Sequence, residues 1–140
     1  MIYLRSFYNS PTGFSVARWA TSWWLGDRVS LAFLGARAPN GSALMHLEPE
    51  DFRKQYYDYL KSINNRVSEW LATLDPQVDI NLCCWCNMER QKKYTTLYCH
   101  RILIGCVIAA YRPDIPVVFM DGAENPVWKD DAIKPDLDIP

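Results

Sequence analysis

Apolar and polar positions along the chain alternate between two periods. Residues 2–8, IYLRSFY, alternate in part and predict a first strand, ended by Asn9-Ser10-Pro11. The following stretch, GFSVARWATSWW (13–24), is rich in aromatics and fits either a short helix or an irregular segment. VSLAFL (29–34) predicts a buried second strand, and the Gly, Pro and Asn of 35–45 predict a loop. From Pro49 to Leu74 the period changes. Phe52, Tyr56, Tyr59, Leu60, Ile63, Val67, Trp70, Leu71 and Leu74 recur at three- and four-residue steps, which predicts one long amphipathic helix. Pro49 suits its first turn, Glu48, Glu50 and Asp51 complement the dipole, and Asp75-Pro76 ends it.

The second half repeats the change of period. VDINLCCWC (78–86) is a continuous apolar run of the kind found in central parallel strands. A polar loop, 87–94, leads to TTLYCHRILIGCVIAAYR (95–112), predicted as a helix capped by Thr95 or Thr96 and stopped at Arg112-Pro113. IPVVFMD (115–121) predicts a further strand. Strand, helix and strand at this spacing predict a right-handed βαβ unit. The fold class is therefore α/β: a single domain over residues 1–121, with a mainly parallel central sheet flanked by helices. Residues 122–140 are polar and carry prolines, and predict a C-terminal extension, extended or partly disordered.

Composition narrows the function class. In 140 residues, about half of them apolar, six Trp and eight Tyr support a substantial core. A net charge of −1 argues against binding nucleic acid through global charge, while leaving room for a local basic patch. No window approaches a membrane-spanning run, and the N-terminus lacks the basic and apolar regions of a signal peptide. Five cysteines without such a signal fit reduced thiols in a cytoplasmic protein.

Four of the five cysteines lie within LCCWCNMERQKKYTTLYCHR (82–101). In open α/β sheets, ligands bind beyond the carboxyl ends of strands, where helix N-termini present free N–H groups. Trp85 and Cys86 fall at such a strand end, and Thr95 to Arg101 at the start of the next helix. The two halves of the stretch are thereby expected to meet.

Three chemistries fit that meeting point. In the first, Cys99 is an activated thiol, because a helix N-terminus, His100 and Arg101 each favour a thiolate; Cys84 is a neighbouring thiol. Against it, Cys99, Leu103, Cys106 and Ala110 share a helical face, so Cys99 also fits plain core packing. In the second, Cys84, Cys86 and Cys99 hold zinc. Cys84 and Cys86 share a strand face, but Cys99 and His100 would diverge by about 100° on a helix, which weakens a site using both. In the third, Arg101, Thr95, Thr96, Arg90, Lys92 and Lys93 accept an anion, phosphate or carboxylate, although a charged loop is more often simply solvated. Asp121 is a further candidate acid at the same sheet edge. His46 is more often structural, and Trp19, Trp23 and Trp24 fit a core as well as a stacking platform for bases. Gly-rich phosphate loops, His-Glu zinc motifs and a serine nucleophile elbow are absent from the sequence.

With Leu82-Cys83-Cys84-Trp85-Cys86 at a strand end and Cys99-His100-Arg101 opening the next helix, the chain resembles the domain-of-unknown-function family 488. That family pairs a Leu-Cys-Tyr-Glu-like strand end with a Cys-His-Arg. MIYLRSFYNSPTGFSVARW also looks like the family's opening strand, and the long helix with Tyr56 and Tyr59 has a counterpart, so the resemblance covers roughly residues 1–121. LCCWC, Cys-His, LIG and RPDIPVVFMD are especially similar to a branch associated with cyanobacteria; Cys-Trp-Cys with Cys-His is also similar to a second uncharacterised family common in phages. Cys86 stands where the main family has Glu, so an acid–base role given to that Glu does not carry over to this chain. The resemblance implies an α/β domain with a site at these motifs and no particular activity.

The expectation is thus a cytoplasmic α/β protein with a Cys/His/Arg site. It would be a thiol-dependent enzyme acting on a nucleotide or nucleic-acid component, or a non-enzymatic zinc- or anion-binding module.

Overall fold

The computed structural model describes residues 1–18, 22–42, 44, 47–84, 99–120 and 135–139. It is an α/β fold. Four strands, β1 (Ile2–Ser6), β2 (Phe14–Ser15), β3 (Ile80–Cys84) and β4 (Val117–Phe119), form one sheet in the order β2-β3-β1-β4. Every pairing is parallel, with Leu4 opposite Leu82 on one side and Phe119 on the other. The helices are α1 (Pro49–Ser62), α2 (Asn64–Thr73) and α3 (His100–Tyr111). The connection from β3 through α3 to β4 passes over β1, because β1 lies between the two strands it joins.

Helix α3 packs on β1, β3 and β4 and also meets α1. Its residues from His100 to Gly105, with Val107 and Ile108, are all buried. A helix that is apolar almost all round belongs to a core, and that is where α3 lies. Its closeness to the sheet depends on Gly105. A Cβ there would come within 2.5 Å of Leu4 Cδ1 and 2.8 Å of the Phe119 ring.

Two predicted elements are corrected. The long helix 49–74 is broken at Ile63, whose φ and ψ are −116° and 30°. The Ser62 hydroxyl donates back to Tyr59 C=O, a local bond that competes with continuing the helix, and Asn64 and Asn65 are weak helix formers. The predicted strand 29–34 is a turn followed by a single 3-10 turn, Ala32–Leu34. Asp27 Oδ1 accepts from the N–H groups of Val29 and Ser30 at 3.0 and 2.9 Å, and Val29 is 78% exposed. These bonds, that of Ser30 N–H foremost, hold the Asp27 carboxyl below the usual range. The 3-10 turn serves instead as an anchor. Tyr56 and Tyr59 of α1 donate their hydroxyls to Leu34 C=O and Phe33 C=O.

The strand position beside β3 goes to β2, within the segment read as helical or irregular. Gly13 makes the approach, with a φ of +131° and its would-be Cβ only 2.7 Å from Asn81 C=O, so no side chain fits. Of the expected C-terminal extension, residues 135–139 pack on the helices. Leu137 is fully buried, Tyr111 O–H donates to Pro135 C=O, and Lys61 pairs with Asp138 at 3.7 Å. No helix among the described residues is long and apolar enough to cross a membrane.

Candidate functional site

The carboxyl ends of three strands meet at one edge. Ser6 of β1 pairs with Cys84 at the end of β3, and Met120 follows β4, its N–H donating to Leu4 C=O. The N-terminus of α3 faces this edge. Its start differs from the sequence reading, which capped it at Thr95 or Thr96. The helix begins at His100, and Cys99 is the N-cap, with extended backbone (φ −161°, ψ 149°). Cys99 C=O accepts from Ile102 N–H, while its thiol makes no capping bond and turns to Cys84.

That extended cap changes the geometry expected of Cys99 and His100. The 100° divergence applies to two residues inside a helix, and Cys99 is outside it. Cys99 Sγ therefore lies 3.7 Å from His100 Nδ1 and 3.2 Å from Cys84 Sγ. Arg101 NH1 donates to Cys84 Sγ at 3.6 Å, and NH2 donates to Met120 C=O at 3.1 Å. The guanidinium thus spans from the end of β3 to the end of β4, across β1. All four side chains are buried; Arg101 and Cys84 are fully so.

The histidine's protons can be assigned from its partners. His100 Nε2 lies 2.7 Å from Val16 C=O, which can only accept, so Nε2 carries hydrogen. Burial, aided by the Arg101 charge, pushes the His100 pKa below its usual value, against the opposing pull of Cys84 and Val16. The ring is neutral at pH 7, and Nδ1 presents a lone pair to Cys99. Tyr56 packs edge-on against the imidazole at 5.8 Å, and burial holds its own hydroxyl protonated. Cys83 points to the other sheet face by strand alternation. Burial pushes its thiol up to about 11, so it stays protonated.

A depressed histidine pKa makes stability depend on pH. Between the folded value and the unfolded value of about 6.5, the unfolded chain binds a proton that the native chain does not. Stability is therefore fully present above about pH 6.5 and falls as pH drops below it. His100→Gln keeps an N–H donor for Val16 but does not titrate. Denaturant titrations from pH 8 to 5 should show a shallower acid decline in His100→Gln than in the native chain; equal slopes would contradict a buried neutral imidazole.

The structure thus brings together Cys84, Cys99, His100 and Arg101. Cys86, Trp85, Arg90, Lys92, Lys93, Thr95, Thr96, Asp121, His46 and Trp19 lie outside the described residues. Of the expected zinc ligands, Cys84 and Cys99 converge, but closer than the roughly 3.5–4 Å of two sulfurs on one zinc. The Arg101 cation also stands against Cys84, and no group of three metal-ligating side chains forms among the described residues. Arg101 meets the sulfur of Cys84 as a hydrogen-bond donor. Trp24 is a core residue, its indole N–H donating to Ser10 C=O, while Trp23 is half-exposed beside Tyr8. An apolar depression of about 270 Å³ lies at the opposite sheet edge, lined by Ile2, Ile80, Phe14, Trp70, Leu74 and Val78. Sequence reasoning missed Val16 and Met120, which act through backbone carbonyls and leave no side-chain signal, and Tyr56, visible only as part of a helix face.

Comparison with protein-family models, with curated proteins and with solved structures finds no match to this chain.

Proposed function

We propose that this chain is a thiol-dependent enzyme in which Cys99 is the reactive thiol, His100 its proton relay, and Cys84 with Arg101 a charged neighbour. One observation carries the reading: the fixed tautomer of His100 aims the Nδ1 lone pair at Cys99 Sγ, 3.7 Å away. Nucleophilic thiols need a base within reach and a partner for the charge that forms. Nδ1 takes the Cys99 proton, and Val16 C=O holds the ring in place through Nε2–H. Negative charge left on sulfur is then shared across the 3.2 Å contact with Cys84, beside the Arg101 guanidinium. The nucleotide or nucleic-acid substrate expected from the loop cations is no part of this reading. Kinship with family 488 stays a proposal too, carried by the Leu82–Cys86 motif, Cys99-His100-Arg101, the opening segment and the helix with Tyr56 and Tyr59.

Alkylation with iodoacetamide, mapped by peptide mass at pH 5 to 10, tests it. Cys99 is expected to titrate below the roughly 8.5 of an ordinary thiol, with a lower midpoint than partly buried Cys106. His100→Gln should raise the Cys99 midpoint. If Cys99 reacts only on unfolding, the thiols are core residues and the reading fails. The convergence of Cys84 and Cys99 favours a second reading, a zinc-binding module. Stoichiometric zinc in protein purified without added metal would put that reading first.

A further inference from the structure

A single nucleophilic thiol does not need a second one in contact with it. Cys84 Sγ nevertheless lies 3.2 Å from Cys99 Sγ, at the end of a central strand, with a guanidinium 3.6 Å away. We propose that Cys84 and Cys99 form a peroxide-responsive redox pair, Cys99 being the sulfur first oxidised and Cys84 the resolving thiol that closes a reversible disulfide. The inference rests on the proposed thiol chemistry for Cys99 and adds its regulation.

The chemistry balances in two steps. The Cys99 thiolate, its proton on His100 Nδ1, attacks the outer oxygen of a hydroperoxide. The O–O bond breaks, an S–O bond forms, and the leaving oxygen takes the proton as water or an alcohol. Cys99 is now a sulfenic acid, oxidised by two electrons that reduce the peroxide. Cys84, as thiolate beside Arg101, then attacks the Cys99 sulfur; the S–S bond forms, and hydroxide leaves and is protonated to water. The sulfurs need to close by little more than 1 Å, from 3.2 Å to the 2.0 Å of a disulfide.

Burial selects the oxidant. Cys84 is fully buried and Cys99 is 2% exposed, so a small peroxide is favoured over a bulky disulfide such as oxidised glutathione. Neighbouring Cys83 is the built-in control. It lies next to Cys84 in sequence but faces away from Cys99, and its thiol stays protonated.

The full chain, reduced and freed of reductant, is treated with one equivalent of hydrogen peroxide and analysed by intact mass and peptide mapping. Loss of two hydrogens, a linked Cys84–Cys99 peptide and recovery with dithiothreitol are expected. In Cys84→Ser the Cys99 sulfenic acid should persist and be trapped by dimedone, while Cys99→Ser should form no disulfide. Arg101→Met should slow closure of the disulfide at least tenfold. A linked peptide joining any other pair, or addition of oxygen to wild type with no link, would overturn the proposal. These readouts need no substrate, so the two ideas fail separately. A low alkylation midpoint for Cys99 without a disulfide refutes the redox pair alone. A Cys84–Cys99 disulfide in a chain whose Cys99 titrates as an ordinary thiol refutes its assignment as the first sulfur oxidised, and the proposed enzyme with it.

Discussion

Arg101→Ala is expected to cost about 4 kcal/mol of folding stability. The side chain is fully buried, and it joins Cys84 at the end of β3 to Met120 C=O after β4. Its removal leaves a carbonyl and a sulfur with lost partners and opens a cavity under α3. Met at this position separates packing from charge. Arg101→Met fills much of the space and removes the cost of burying a cation, so its loss should stay near 1–2 kcal/mol, set by the unpaired carbonyl. The thiol pair feels both substitutions alike. An opposite charge within about 4–6 Å lowers a pKa by one to three units, so losing it should slow alkylation of Cys84 at pH 7 by tenfold or more. Urea titration gives the stabilities and timed alkylation the rates. Equal stability losses in both variants would mean that the cavity carries little of the effect and the lost charge and hydrogen bonds carry most of it, and unchanged alkylation would detach Arg101 from the site.

Gly105→Val should be the second most disruptive change, at about 3 kcal/mol. Helix propensity alone makes Gly the poorer residue by about 1 kcal/mol relative to Ala, so an exposed glycine here would gain from substitution. The packing reverses the sign. A Cβ would sit 2.5 Å from Leu4 Cδ1 and 2.8 Å from the Phe119 ring, and both residues are buried with little room to move. Valine adds two methyl groups to that clash. Because α3 carries His100 and Arg101 at its first turn, lifting it from the sheet should also part Cys99 from Cys84. Gly105→Val is expected to show both a lower urea midpoint and a slower peroxide-induced disulfide. A variant as stable as the native chain would show that α3 does not lie as close to β1 and β4 as described.

Much of the fold was legible from periodicity. Runs at 2–8, 78–86 and 115–121 became β1, β3 and β4, and the three- and four-residue repeat over 49–74 marked α1 and α2, because one buried face repeats at the period of its element. The misses were local hydrogen bonds overriding pattern. Asp27 turned an apolar run into a 3-10 anchor, and Ser62 broke a helix whose apolar stripe continued past it. Leu137 and Ile139, set among Asp and Pro in a polar tail, were too few for any periodicity to register.

By itself, the sequence determined the α/β class and the expected approach of the end of strand 78–86 to Cys99-His100-Arg101, because a parallel βαβ connection returns the helix N-terminus to the strand's carboxyl edge. Only the tertiary structure decided what those residues do to one another. The extended backbone at Cys99, the lock of His100 on Val16 C=O and the reach of Arg101 across β1 to Met120 C=O are contacts between distant backbone segments. A hydrophobic pattern reports which face is buried. It carries no record of which buried polar atoms meet across that face.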